Sequence, residues 1–115
     1  MVATHTHQIQ TSGQGDARHV TRMVANDLSN SVLSAGIVTV AVIGSPAGVT
    51  TIEYESGVVT DLSAVFERLA PRNAEYRHHL RWGDDNGSSH VRAAVVGPSI
   101  TVPFVDRALT LGTWQ

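Results

Sequence analysis

The chain contains no cysteine. That excludes a disulfide framework and any thiolate metal site, so a metal would have to be held by His, carboxylate or water. Charge is also scarce: Asp, Glu, Lys and Arg make up 16% of 115 residues, and the formal net charge is −2. Nucleic-acid binding usually leaves a basic stripe, and none is present. No apolar run approaches the length of a membrane span, and the polar start "MVATHTHQIQTSGQ" lacks the apolar core of a signal peptide. These features point to the cytoplasm, with no membrane and no nucleic-acid partner. Three motifs are missing as well. "GSPAGVTT" follows a strand-like run but has no Lys at P-loop spacing, and neither Gly-x-Ser-x-Gly nor His-Glu-x-x-His occurs. Asn86-Gly87-Ser88 matches a glycosylation sequon by coincidence.

Apolar residues amount to 42%. This suits one globular domain, residues 1–115, with a small core. "THTHQIQT" and "ARHV" read as strands. Val24, Leu28 and Val32 recur every four residues, so 22–35 reads as an amphipathic helix with Thr21 as N-cap and Gly36 as its stop. "IVTVAVI" (37–43) reads as a buried strand, 44–48 as a loop, and "VTTIEYE" (49–55) as an alternating strand carrying Glu53 and Glu55 on one face. Val58, Leu62, Val65, Phe66 and Leu69 have helical spacing before Pro71. Residues 72–87 read as a long irregular segment, the kind of loop that is usually functional or disordered. A helix follows, capped by Asn86 and ended by Gly97-Pro98, and then a β-hairpin around Asp106. The order β-β-α-β-β-α-α-β-β, with short links, implies an α+β fold with a mostly antiparallel sheet.

Six histidines stand out: His5, His7, His19, His78, His79 and His90. Residue type alone makes most of them surface or half-buried polar groups. His90 differs because it falls in a first helical turn, where the positive end of the helix dipole favours a neutral ring. A neutral ring suits a metal ligand or a general base. Glu53, His78, Asn86 and His90 form the candidate constellation. Amides at the helix start are available for an anionic oxygen, and two imidazoles plus a carboxylate suit a divalent metal such as zinc or magnesium.

The series "AVIGSPAGVTTIEYESG", "YRHHL", "NGSSHVRAAVVGPSITVPFVD" and "LGTWQ" resembles the YjbQ-like family over about residues 8–115. Its members are commonly described as secondary thiamine-phosphate synthases. The resemblance implies a distorted β-sandwich with packed helices, a homotrimer, and a His/Glu pocket near the subunit interface that holds a metal in some relatives. It implies catalytic roles for His78, His90 and Glu53 and metal ligation by His78 and His90. The helix start at Asn86, Ser88 and Ser89, with Arg77 or Arg81 and the Ser45 hydroxyl, is available to bind a small phosphorylated molecule. Gly112–Gln115 match the family's closing Gly-Thr-Trp-Gln. Two departures accompany the likeness. Gly44, Ser45 and Pro46 stand where the family carries His-Thr-Thr, which removes one imidazole. Relatives also continue past the position of Gln115; were the chain complete there, a β edge would be open or covered by a neighbouring chain. A degenerate trimer that binds a small anion without catalysis is the alternative.

Overall fold

The computed structural model describes residues 1–115 as four helices and one three-stranded sheet: α1 (Thr21–Ser29), β1 (Gly36–Ala41), α2 (Ser56–Leu69), α3 (Arg77–Trp82), α4 (Gly87–Val96), β2 (Ser99–Val105) and β3 (Ala108–Leu109). The sheet order is β1-β2-β3 and both pairings are antiparallel. The expected α+β class with an antiparallel sheet is therefore what the chain forms. Thr39 lies opposite Thr101, and their hydroxyls bond at 2.8 Å across the ladder. Phe104 is buried opposite Gly36, its ring 3.4 Å from where a Cβ on that glycine would stand. The β2–β3 hairpin turns at Asp106 and Arg107, both at positive φ (52° and 59°). Two successive residues there give the right-handed turn that matches strand twist. The Arg107 amide donates to Ser34 O and its Nε to Ser31 O, tying the turn to the loop after α1.

Several expected boundaries are corrected. α1 stops at Ser29, well short of 35, and starts after Val20, so Thr21 is its first residue and not its cap. Ser29 Oγ and Asn30 Nδ2 both donate to Asn26 O. Such side chains compete with the backbone ladder and favour an end. Residues 4–11, 17–20 and 49–55 are not strands. The alternation in these segments is real, but a strand needs a ladder. The backbone bonds of 49–55 within the chain are Val49 N–H to Gly97 O, Glu55 N–H to Glu53 O and Val59 N–H to Glu55 O, the last belonging to the start of α2. No second sheet of a sandwich is formed by this chain. The strand expected over 37–43 exists but runs from Gly36 to Ala41 and has no buried residue: Ile37 is 70% exposed, and Ile43, at 96%, lies beyond its end. The segment 72–87, expected to be irregular, contains α3.

α2 is capped by Glu55, whose carboxylate accepts from Gly57 N–H and Val58 N–H at 2.8 and 2.6 Å. α4 closes at Gly97, with φ 95°, as its Gly-Pro ending implies. Arg92 of α4 donates to Ala70 O at 2.9 Å and to Glu67 of α2 at 2.8 Å, which stitches the two long helices together. Only six residues are buried, among them Leu28, Ala70, Ala93 and Phe104. The radius of gyration is 16.2 Å. A compact chain of this length would have about 13 Å.

Candidate functional site

α3 and α4 meet at their facing ends, and this corner brings histidines together. The rings of His78 and His90 lie 4.5 Å apart, tilted by 50°. His78 Nε2 is 3.1 Å from Asn86 Oδ1 and 3.3 Å from Asp84 Oδ1. Both oxygens only accept, so Nε2 carries the proton. Asn86 occupies the N-cap position of α4 but makes no side-chain capping bond. Its carboxamide holds His78 instead, a correction to the capping role expected from sequence. His90 sits in the first turn, where its own amide donates to Asn86 O.

His79 faces another way. Its Nε2 accepts the Gly87 N–H at 3.0 Å, and its ring meets Tyr76 edge-on at 5.3 Å. Tyr76 OH donates to Pro71 O at 2.6 Å. Gly87 is buried beneath these rings: a Cβ there would stand 2.6 Å from Tyr76 Cβ.

The remaining expected residues are less concentrated. Ser88 is 2% exposed, so its hydroxyl faces the protein and not a ligand, while Ser89 is half-buried beside His90. Arg77 is exposed and lines an open cleft of about 340 Å³ with Glu75, Tyr76, His79 and Leu80, which His78 does not line. Ser45 is exposed in the 44–48 loop, and that loop packs at the other end of α4. Val49 N–H donates to Gly97 O, Val42 N–H to Pro98 O, and Gly48 touches Val96. The span from Asn86 to Gly97 is about 16 Å at 1.5 Å per residue. Glu53 lies in the extended segment beside Tyr54, which stacks on His19 at 4.5 Å. Neither Ser45 nor Glu53 is bonded to the His78–His90 pair.

A catalytic zinc takes three protein ligands and keeps a fourth position open. No three His, Asp or Glu side chains of this chain converge that way. His78 and His90 alone do not fit zinc or magnesium, and no step below runs through a metal. Sequence reasoning missed Asp84 as a partner of His78, and it missed the loop's contact with Gln14, whose Nε2 lies 3.4 Å from Asp85 O and Oδ1. The acidic pair next to Asn86 was the available signal for the first. Nothing in the sequence marks the second.

The chain is similar to known proteins along its length. The family model described as UPF0047 protein YjbQ-like matches residues 5–115. A UPF0047 protein of Methanothermobacter thermautotrophicus is 33% identical over 99% of this chain and 78% of its own. A UPF0047 protein of Mycobacterium bovis is 42% identical over 70% of this chain, which spans 61% of that relative. Among solved structures, a YbjQ-like protein of unknown function from Sulfolobus solfataricus superposes with a TM-score of 0.87 at 26% identity, covering 93% of this chain and 76% of that one. A protein of Aeropyrum pernix gives 0.77 at 30% identity, covering 84% and 70%. With the family model matching residues 5–115 and a relative 33% identical over nearly the whole chain, this chain belongs to the YjbQ/UPF0047 family.

Proposed function

We propose that this protein binds a small phosphorylated molecule at the His78–Asn86–His90 corner and there carries out a transfer of the thiamine-phosphate synthase type. One observation supports the site: two imidazoles 4.5 Å apart at the N-terminal end of a ten-residue helix, one of them held by an amide and a carboxylate. Imidazole N–H groups and the dipole of α4 both favour negative charge. The identity of the reaction comes from the family resemblance. In it the thiazole nitrogen attacks the methylene carbon of the pyrimidine diphosphate, the carbon–oxygen bond breaks, and pyrophosphate leaves with the electron pair. His90 would donate a hydrogen bond to the departing oxygens, where charge develops, and His78, whose Nε2 proton is held by Asn86 and Asp84, would join it from Nδ1 only as a protonated ring. Asp84 orients the His78 ring. The proposed working unit is a homotrimer in the cytoplasm, and a divalent metal here would need a further ligand from a second copy. No helix of the structure is long and apolar enough to cross a membrane.

Two assays test this reading. Pyrophosphate release from the two precursors should be measurable, and His90→Ala should reduce it at least 100-fold with an unchanged circular dichroism spectrum. A variant that turns over at the parent rate, or unfolds, would make His90 a packing residue. The second reading, a non-catalytic anion binder, is favoured by the placement of Ser45 and Glu53 away from the histidine pair. It predicts that inorganic pyrophosphate binds without any turnover of the precursors.

A further inference from the structure

Two adjacent histidines on α3 have opposite hydrogen-bonding duties. His78 donates from Nε2 to Asn86, whereas His79 accepts at Nε2 from the Gly87 amide. The two neutral rings are therefore opposite tautomers, with the proton on Nε2 in His78 and on Nδ1 in His79. Successive helical residues project about 100° apart, which lets one ring reach Asn86 while the next reaches Gly87.

We infer that His79 is a positioning residue. By accepting the Gly87 amide, the first of α4, it holds the start of that helix against α3, where the Asn86 side chain reaches His78. An N-cap Asn ordinarily accepts from the second or third amide of its own helix, here Ser88 or Ser89. Asn86 stands at φ −102°, ψ 18° with no such bond. Local space supports the same clasp. Gly87 has no side chain to keep the rings away, and a Cβ would stand 3.0 Å from His79 Nε2. Tyr76 backs the His79 ring and is itself anchored to Pro71 O. Without the His79 acceptor, the Gly87 amide loses its partner and α3 loosens from α4, which draws Asn86 away from His78. His78 then keeps only the longer contact to Asp84, at 3.3 Å, to fix its tautomer in front of His90. The consequence for ligand affinity rests on the anion-binding reading above; the clasp itself does not.

The test compares His79→Gln, whose amide oxygen can still accept near the ε position, with His79→Phe, which keeps a ring of similar size but no acceptor. Ring ¹⁵N shifts report the His78 tautomer, hydrogen exchange reports the Gly87 amide, and calorimetry with inorganic pyrophosphate reports the site. The Phe variant should exchange Gly87 about tenfold faster, show a mixed His78 tautomer, and bind pyrophosphate about tenfold more weakly. The Gln variant should keep parent values for Gly87 and His78. Parent-like spectra in the Phe variant would reduce His79 to space-filling and overturn the inference, as would a Gln variant with a mixed tautomer. Should the Phe variant unfold, the Gln spectra decide in the same way. If pyrophosphate fails to bind the parent, the functional reading falls, and the tautomer comparison still judges the clasp.

Discussion

Gly87 is the residue on which the corner depends, and two opposed magnitudes decide what replacing it does. Inside a helix, Ala is favoured over Gly by about 1 kcal/mol. Against that, a new Cβ would lie 2.7 Å from Tyr76 Cγ and 2.6 Å from its Cβ, an atom that no side-chain rotation can move aside. Overpacking of this kind typically costs about 1–3 kcal/mol. The clash wins, and we expect Gly87→Ala to lower stability by about 1–2 kcal/mol in urea titration while weakening the His78–Asn86 contact. A variant as stable as the parent would mean that α3 approaches α4 less closely than described. Gly44 makes a useful contrast. Its nearest side-chain atom is 4.0 Å from a built Cβ, so a larger residue fits there. Gly44→His should leave zinc affinity unchanged, because the loop sits at the far end of α4 from His90 of the same chain. Tighter binding by calorimetry would require the loop of this chain or of a neighbouring copy to reach the corner.

At the scale of elements, the α2–α4 stitch carries a pH dependence whose sign can be worked out. The Arg92 hydrogen bond, and after it the Arg72 amide, hold the Glu67 carboxyl below its ordinary value of 4.5. The folded state therefore binds this proton less readily than the unfolded chain. The contribution is fully present above about pH 4.5 and is lost as pH falls through the lowered folded value. Asp16 is also held low, chiefly by the Ser12 amide, so the parent's acid slope mixes the two groups. The difference made by Glu67→Gln isolates one. Stability of that variant should vary less steeply with pH below 4.5, and an unchanged slope would mean the Arg92 pair is not made in solution. The elements differ in how legible they are. α2 and α4 are readable because apolar spacing, a stop at Pro71 and the Gly97-Pro98 ending all agree. β1, β2 and the turn at Asp106 are readable from β-branched runs around a polar break. α3 is not: six residues reading Arg-His-His-Leu-Arg-Trp show no apolar stripe, and their helix is held by contacts to α4 that lie outside any local window. The extended segments at 4–11 and 49–55 alternate as strands do, yet alternation names a face and not a partner. The site divides likewise. Asn86, His78 and His90 could be listed together from sequence, but the His78 bond to Asn86 and the His79 bond to the Gly87 amide could not.

For the molecule as a whole, the buried interior is too small for the apolar surface it carries. Leu80 is 89% exposed, Trp82 68% and Trp114 76%, while only six residues are buried. Covering such surface is worth about 25 cal/mol per Å². We therefore expect folding to depend on association. Light scattering should give a multiple of 12.3 kDa, with a trimer expected from the resemblance. The melting temperature should rise with protein concentration, as linkage to assembly requires. A mass of one chain, melting independently of concentration, would sink the proposed homotrimer and leave the His78–His90 corner as a site of the single chain.

The pairing of Thr39 with Thr101 has a consequence in time as well as in space. The two residues are 62 positions apart, and β1 has no other ladder partner. During synthesis at about 5–20 residues per second, β1 emerges roughly 3–12 s before the strand that will cover its edge. Throughout that interval "IVTVAV" is an apolar strand with every backbone donor and acceptor on offer. Holding that segment apart from other nascent chains, by a chaperone or by the early collapse of α2, is then a requirement of biosynthesis. Slowing translation downstream of α2 should increase aggregation of this protein in cells more than slowing it before β1.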